Sequence, residues 1–237
     1  MEPVGSLFSK TSVTRTIDMG KISILTLDQR KILDQIIKNN YIKDNFYLTG
    51  GTALSEFYLK HRYSEDLDFF TENKYDTQVI INFIKQLSES LDFTFEAELL
   101  EFLYRFNLKL SNKNVLKLDF SYYPGKRVEK GEVYKDFEVD SLLDIAINKL
   151  STIQQRYNVK DYVDLYFLLD KFTLWDLIEG VKIKFRMEIE PWILASDIIY
   201  CVEKFDSLPQ MIKPLTLEKL KSFFRRLAKE IGSKAVE

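Results

Sequence analysis

The chain has 237 residues and a formal net charge of −2, and 46% of its residues are hydrophobic. This composition is typical of a soluble globular protein, and the balanced charge excludes binding of nucleic acid or acidic lipid through overall charge. The single cysteine excludes an intrachain disulfide framework, and no apolar run reaches the roughly 18 residues that span a bilayer. We therefore expect a cytoplasmic protein that does not associate with a membrane.

The first 135 residues predict a unit of strands and helices. Residues 1 to about 20 are polar and aperiodic, which indicates a loose lead-in. Thr26 and Gln29 then form a capping-box pattern that opens a helix. Strands and helices follow from periods of 2 and 3.6 residues. In chain order they are a helix in TLDQRKILDQIIKN, a strand in NFYLT, a helix in TALSEFYLK, a strand in EDLDFFT, a helix in DTQVIINFIKQLSESL, and strands in FTFEAEL, FLYRFNLKL and VLKLDFSYY.

The rest of the chain, from Asp140 onward, has helical periodicity in five segments. We expect an α/β (α+β) fold with two domains. Residues 1–135 would form a mixed sheet with flanking helices, and residues 136–237 would form a helical domain. The hinge is expected in KRVEKG, at residues 126–131.

Three aspartates fall at matching places in two predicted strands. Side chains alternate along a strand, so Asp66 and Asp68 should point to one face, about 6.5 Å apart at their Cα atoms. Asp119 lies in a later strand and would join them if the two strands are neighbours. Clustered carboxylates repel one another, and divalent cations relieve that repulsion. Carboxylate oxygens suit Mg²⁺, which commonly combines one or two of them with substrate phosphates.

A glycine pair precedes the aspartates. Gly50 and Gly51 would let the backbone approach a phosphate, and the helix beginning near Thr52 would offer free N–H groups to it. Each feature alone also fits a simple turn or a pair of solvated carboxylates. In this order, with the third aspartate, they predict a site for a nucleotide and a metal ion.

The stretch TGGTALSEFYLKHRYSEDLDFF resembles the signature of the AbiEii/AbiGii-type nucleotidyltransferases, a branch of the polymerase-β-like superfamily. The resemblance covers about residues 45 to 170. It implies a mixed-sheet nucleotidyltransferase core with a helical C-terminal domain that completes the active-site cleft. It also implies that Asp66, Asp68 and Asp119 are the metal ligands, and that Gly50, Gly51 and Thr52 hold the triphosphate.

The helical pair after the sheet carries further residues of this resemblance. The family has a lysine and an R-D-x-x-D-L segment here, and this chain has Lys149 and KDYVDL. By the resemblance, Lys149 neutralises the nucleotide phosphates and Asp161 is a catalytic or orienting residue. Asp164 would brace the helix pair, while the roles of His61 and Arg62 stay open.

The resemblance implies transfer of a nucleoside monophosphate from an NTP to an acceptor, with Mg²⁺ or alternatively Mn²⁺ and with release of pyrophosphate. The acceptor would be RNA such as tRNA, and the protein would be the toxin of a toxin–antitoxin or abortive-infection system with a cognate antitoxin. Two alternatives remain. One is transfer to a small molecule, such as an antibiotic, or to a protein; the other is a non-catalytic module that binds a nucleotide or a partner.

Overall fold

The computed structural model describes residues 15–18 and 21–234, and side chains from residue 23 to 233. It confirms the expected mixed α/β fold, with a central sheet and many helices. The strands are β1 (Arg15–Asp18), β2 (Lys21–Thr26), β3 (Tyr47–Thr49), β4 (Leu67–Thr71), β5 (Thr94–Leu100), β6 (Leu103–Lys109), β7 (Val115–Tyr122), β8 (Val133–Tyr134) and β9 (Phe137–Glu138).

The helices include short and long ones, and most begin after a residue whose side chain accepts a hydrogen bond from the first turn. They are α1 (Leu27–Ile36), α2 (Asn40–Asn45), α3 (Gly50–Ala53), α4 (Thr77–Leu91), α5 (Leu142–Ile153), α6 (Val159–Leu168), α7 (Leu174–Phe185), α8 (Pro191–Glu203) and α9 (Leu217–Lys234). The capping box at α1 forms as predicted, because Thr26 accepts from the Gln29 backbone and Gln29 accepts from the Thr26 backbone. Helix α3 continues directly into a π-helical segment, Leu54–Leu59.

The central sheet has five strands in the order β3-β4-β7-β6-β5. Strands β4 and β7 are parallel, whereas the other neighbouring pairs are antiparallel. One face carries a dry core, in which the rings of Phe69 and Phe120 stack 5.0 Å apart on adjacent strands. Because side chains alternate along a strand, the residues next to these phenylalanines point to the opposite face. Asp68 and Asp119 are therefore held on that opposite face, against α5 and the start of α6.

Two small pairings were not predicted. Strands β1 and β2 form an antiparallel ribbon just before α1, so part of the expected lead-in is ordered. The rest of that lead-in, residues 1–14 and 19–20, lies outside the described residues. Strands β8 and β9 form a second ribbon shortly after the expected hinge, and Phe137 within it is fully buried.

Within the described ranges, no helix is long and apolar enough to cross a membrane.

Candidate active site

The three predicted aspartates line one cleft of about 430 Å³ between the sheet and the helices α5 and α6. Asp68 and Asp119 are direct neighbours across the parallel pair β4–β7, in the same register. Asp66 lies just before β4 and lines the same cleft. The alternation of side chains along the strands thus brings the three carboxylates into one cleft, as the sequence indicated.

Two of these carboxylates are paired with cations that sequence reasoning missed. Arg105 donates two hydrogen bonds of 2.9 Å to Asp119, one to each carboxylate oxygen. Lys117 Nζ lies 2.7 Å from Asp66 Oδ2. Lys117 could have been found, since it sits two residues before Asp119 on the same strand. Arg105 could not, because its position depends on the register of β6 against β7.

Asp68 forms no ion pair with any described side chain. Burial and the adjacent charges of Asp119 and Asp66 raise the pKa of its carboxyl to about 7. A carboxylate held in this way favours a neutralising proton or cation. It adjoins Asp119 across the strand pair and follows Asp66 by two residues.

The glycine pair comes close to these acids. Gly50 has φ +73°, which side-chain-bearing residues rarely adopt, and a Cβ added there would overlap the Asp68 carboxylate. A Cβ on Gly51 would collide with the Arg62 guanidinium. Thr52 is fully buried and is not part of the cleft lining. Its hydroxyl donates a hydrogen bond of 2.5 Å to the Asp66 carbonyl. The side chain of Thr52 therefore fixes the segment that enters β4, and the residue itself does not face the cleft.

Gly50→Ala is expected to lower the free energy of unfolding by about 2–4 kcal/mol, because it combines a left-handed backbone with a clash in a packed site. Urea denaturation measures the change. Gly232→Ala is the matched control, since nothing lies within 4 Å of a Cβ at that helical position. The control should gain about 0.5–1 kcal/mol. Equal stability of the Gly50 variant and wild type would contradict the argument.

Lys149 lies in a buried ionic network rather than free in the cleft. Its Nζ is 2.7 Å from Asp161 Oδ1 and 2.6 Å from Asp164 Oδ2, and the residue is 8% exposed. Arg156, which is far more exposed, also donates to Asp161 at 2.9 Å. The helix hairpin α5–α6 therefore brings the predicted residues together, as the i, i+3 spacing of the two aspartates indicated.

Asp164 is the centre of that network. Arg62 binds both of its oxygens, at 2.6 and 2.8 Å, and His61 Nε2 lies 2.7 Å away. Although burial opposes it, Arg62 and Lys149 hold the pKa of this carboxyl well below its usual range. Burial lowers the pKa of His61, so the ring is neutral, donates to Asp164 and accepts from Ser55. This explains the roles that the sequence left open: both residues position Asp164.

The acids of the cleft are candidate ligands for a metal ion. In the described part of the chain, no three carboxylate, histidine or cysteine side chains converge closely enough to hold a metal ion. Asp68 and Asp119 remain an in-register pair of hard oxygen donors. Such a pair fits Mg²⁺, which commonly uses one or two carboxylates together with substrate phosphates.

The sequence model of the family described as nucleotidyl transferase AbiEii toxin, type IV toxin–antitoxin system, matches residues 31–236. The chain belongs to this family, and it is a nucleotidyltransferase of the toxin class. Family membership implies an NTP substrate and a cognate antitoxin.

Two known proteins are similar to the chain, one in sequence and one in fold. An uncharacterised protein of Aquifex aeolicus (strain VF5) is 33% identical over 213 residues, which are 87% of this chain and 97% of that protein. The crystal structure of JHP933 from Helicobacter pylori resembles the fold, with a TM-score of 0.53 and 24% identity over 88% of this chain and 92% of that one.

Proposed function

We propose that the chain uses Mg²⁺ to transfer a nucleoside monophosphate from an NTP to RNA, such as tRNA, as the toxin of a toxin–antitoxin pair. The observation that carries the proposal is the in-register pair Asp68 and Asp119 in one cleft, with Gly50 directly against the Asp68 carboxylate. In the reaction, an acceptor hydroxyl oxygen forms a bond to the α-phosphorus. The bond between the α-phosphorus and the oxygen that links it to the β-phosphate breaks, and pyrophosphate leaves. The hydroxyl proton passes to a carboxylate or to water.

The residues would divide this work between the two walls of the cleft. On the sheet, Asp68 and Asp119 would hold Mg²⁺, or Mn²⁺ in its place, and Asp66 would join them once it leaves Lys117. The ion would neutralise charge and polarise the phosphoryl oxygens. The backbone at Gly50 and Gly51 would hold the triphosphate. Thr52 would support this site from behind, through its hydrogen bond to the Asp66 carbonyl. A helical domain of residues 136–237 would form the other wall.

Charge on the helical wall supports binding of an anion. In the network, the three cations Lys149, Arg62 and Arg156 face the two carboxylates of Asp161 and Asp164. The surplus is positive, and Arg156 is the member that solvent reaches best. We assign the phosphate contact to Lys149 together with Arg156, and the orientation of both to Asp161.

The test is incubation of the purified protein with total RNA, Mg²⁺ and each α-labelled NTP in turn, beside an Asp68→Asn control. Label that enters RNA from one NTP, and that is lost in the control, supports the proposal and names the nucleotide. Label in protein or in a small molecule would replace the RNA acceptor. If no product is labelled, the proposed transfer to RNA is not supported, and the alternative of a module that only binds a nucleotide or a partner is favoured.

Arg105 is expected to compete with the metal ion, since it occupies both oxygens of Asp119. Arg105→Gln should therefore bind Mn²⁺ about tenfold more tightly without NTP, the size expected for loss of one charge-assisted pair. Electron paramagnetic resonance of free Mn²⁺ measures this directly. Arg127→Gln is the control, because Arg127 is similarly paired, with Glu72 and Glu138, away from the cleft. Equal affinities in all three proteins would contradict the competition.

A further inference from the structure

A second cavity of about 600 Å³ adjoins the cleft. Its walls come from the first turn of α1, from the β6–β7 turn and from the segment Tyr63–Asp66, with Gln210 at one side. This volume lies in the range of pockets that hold small ligands or one end of a larger one.

The cavity and the cleft share one wall. Ser64, Asp66 and Lys117 line both of them. A group bound in the cavity therefore reaches the reacting acids from the side of Asp66, whereas Lys149 and Arg156 lie on the helical wall of the cleft. In-line displacement at phosphorus needs the attacking and leaving oxygens on opposite sides. The two-chambered shape offers one side to each substrate.

The lining suits a neutral polar group with a flat face. Asn114 and Gln210 provide carboxamides, which can pair with the edges of bases, and Tyr63 provides an aromatic ring. Leu27 and Leu110 add apolar contact at the same walls.

The charges of the lining do not suit a polycation. Asp28 accepts hydrogen bonds from Asn112 at 2.8 Å and from Asn114 at 3.3 Å. Asp66 is paired with Lys117, and Glu65 lies 3.7 Å from Lys160. Asp28 keeps its charge, since carboxamides do not neutralise it, but Lys31 lines the same cavity. These side chains therefore do not form the cluster of uncompensated carboxylates that would attract a polyamine such as an aminoglycoside.

The walls are tied in place before any ligand binds. Gln29 Nε2 donates a hydrogen bond of 2.9 Å to the Ser64 carbonyl. This bond joins α1 to the segment before β4. The Tyr63 N–H donates 2.9 Å to the Gln210 carbonyl, which joins that segment to the connection between α8 and α9. A preformed cavity reduces the ordering cost of binding.

We infer that this cavity is the acceptor subsite, and that it holds the terminal nucleoside of a single-stranded RNA end. Its base lies between the carboxamides and Tyr63, and its ribose hydroxyl points past Asp66 towards the cleft. The inference rests on the proposed nucleotidyl transfer to RNA, and it adds where the acceptor binds and which part of it is recognised.

The test blocks the cavity with a bulky side chain on its rim. Leu27 is 36% exposed at the first position of α1, so Leu27→Trp can fill the cavity without replacing a core residue. Leu91→Trp is the matched control, because Leu91 is equally exposed at the end of α4 and lines neither this cavity nor the cleft. The probe is a short fluorescent single-stranded RNA with a free terminal nucleoside, and its affinity is measured by anisotropy with Mg²⁺ and without NTP.

We expect Leu27→Trp to weaken RNA binding at least tenfold, the loss of about one good stacking or pairing contact. Leu91→Trp should bind like wild type, and both variants should keep wild-type affinity for a fluorescent NTP. Gln210→Trp, on a different wall, should repeat the loss, which guards against a folding defect of one variant. Wild-type RNA affinity in both blocked variants would overturn the inference.

A second arm separates this inference from the proposed function. The same RNA with a photoreactive thiouridine as its last nucleoside should crosslink to the segment Tyr63–Asp66 or to the β6–β7 turn. If wild type labels RNA but the crosslinks fall elsewhere, the acceptor subsite is wrong while the transfer stands. If the RNA crosslinks there but no NTP labels it, binding is upheld and the transfer fails. An RNA that neither binds nor becomes labelled overturns both.

Discussion

Asp68→Asn is expected to abolish nucleotidyl transfer and, in the same protein, to raise the melting temperature near neutral pH. Transfer should fall at least about a thousandfold, because the variant loses a charged ligand of the proposed metal site. Stability should rise because Asp68 lies among Asp66 and Asp119 without a cation of its own. Function and stability therefore oppose each other at this position, as is common where like charges are held together.

The pH dependence gives this prediction its sign. Burial and the two neighbouring carboxylates raise the pKa of Asp68 to about 7 in the folded chain, above its ordinary value of 3.8. The folded state therefore binds the proton more tightly, and wild type loses stability as pH rises from about 4 to about 7. Asparagine removes that loss, so the melting temperature should rise near pH 8 by about 2–4 °C for each kcal/mol that the raised pKa represents, and should hardly change near pH 4.

Calorimetry in the presence of a chelator measures the melting temperatures, and the labelled-NTP assay measures transfer. Asp206→Asn, at an exposed loop position, is the control and should change neither. Wild-type transfer by Asp68→Asn would remove this residue from the reaction. An equal gain in melting temperature at both pH values would contradict the raised pKa.

Asp164→Asn is expected to lower the free energy of unfolding by about 3–5 kcal/mol, the cost of leaving buried cations without their partner. Arg62, Lys149 and His61 all converge on this carboxylate, and Arg62 is itself 2% exposed. Asp161→Asn should cost less, because Arg156 can turn towards solvent when its partner is lost. Urea denaturation compares the two.

The dependence of stability on pH in acid provides an independent check. The pKa of Asp164 is depressed in the folded chain, so its contribution is complete above about pH 4 and is lost as the pH falls below that value. The variant should therefore show a flatter decline of stability in acid than wild type. Asp170→Asn, at the exposed end of the same helix region, is the control. A loss at Asp164 no larger than at Asp170 would mean that the network contributes nothing to stability.

The spacing of residues within the sequence was sufficient to predict features that depend on a single strand or helix. The period of 2 predicted that Asp66 and Asp68 share a face, and the i, i+3 spacing predicted that Asp161 and Asp164 face α5. The glycine pair was found because its residue type is tied to a backbone that other residues avoid. The mixed α/β fold followed from the order of these patterns.

Pairing between distant strands lay beyond the sequence. Arg105 meets Asp119 only because β6 and β7 pair in one register, and a shift by one residue would turn Arg105 to the other face. The burial of Lys149 depends in the same way on how closely α6 packs, and the ribbon β1–β2 is too short to carry its own signal. The division at residues 135 and 136 remains a proposal.

The contact between Arg62 and Asp164 joins residues that are 102 positions apart. During synthesis, the segment that contains the glycine pair and the first two acids leaves the ribosome long before α6 does. Until α6 arrives, Arg62 lacks its carboxylate, and Lys149 lacks both of its partners. Since long-range pairings form late, a growing chain has no complete cleft, and the activity begins only after most of the protein has been made.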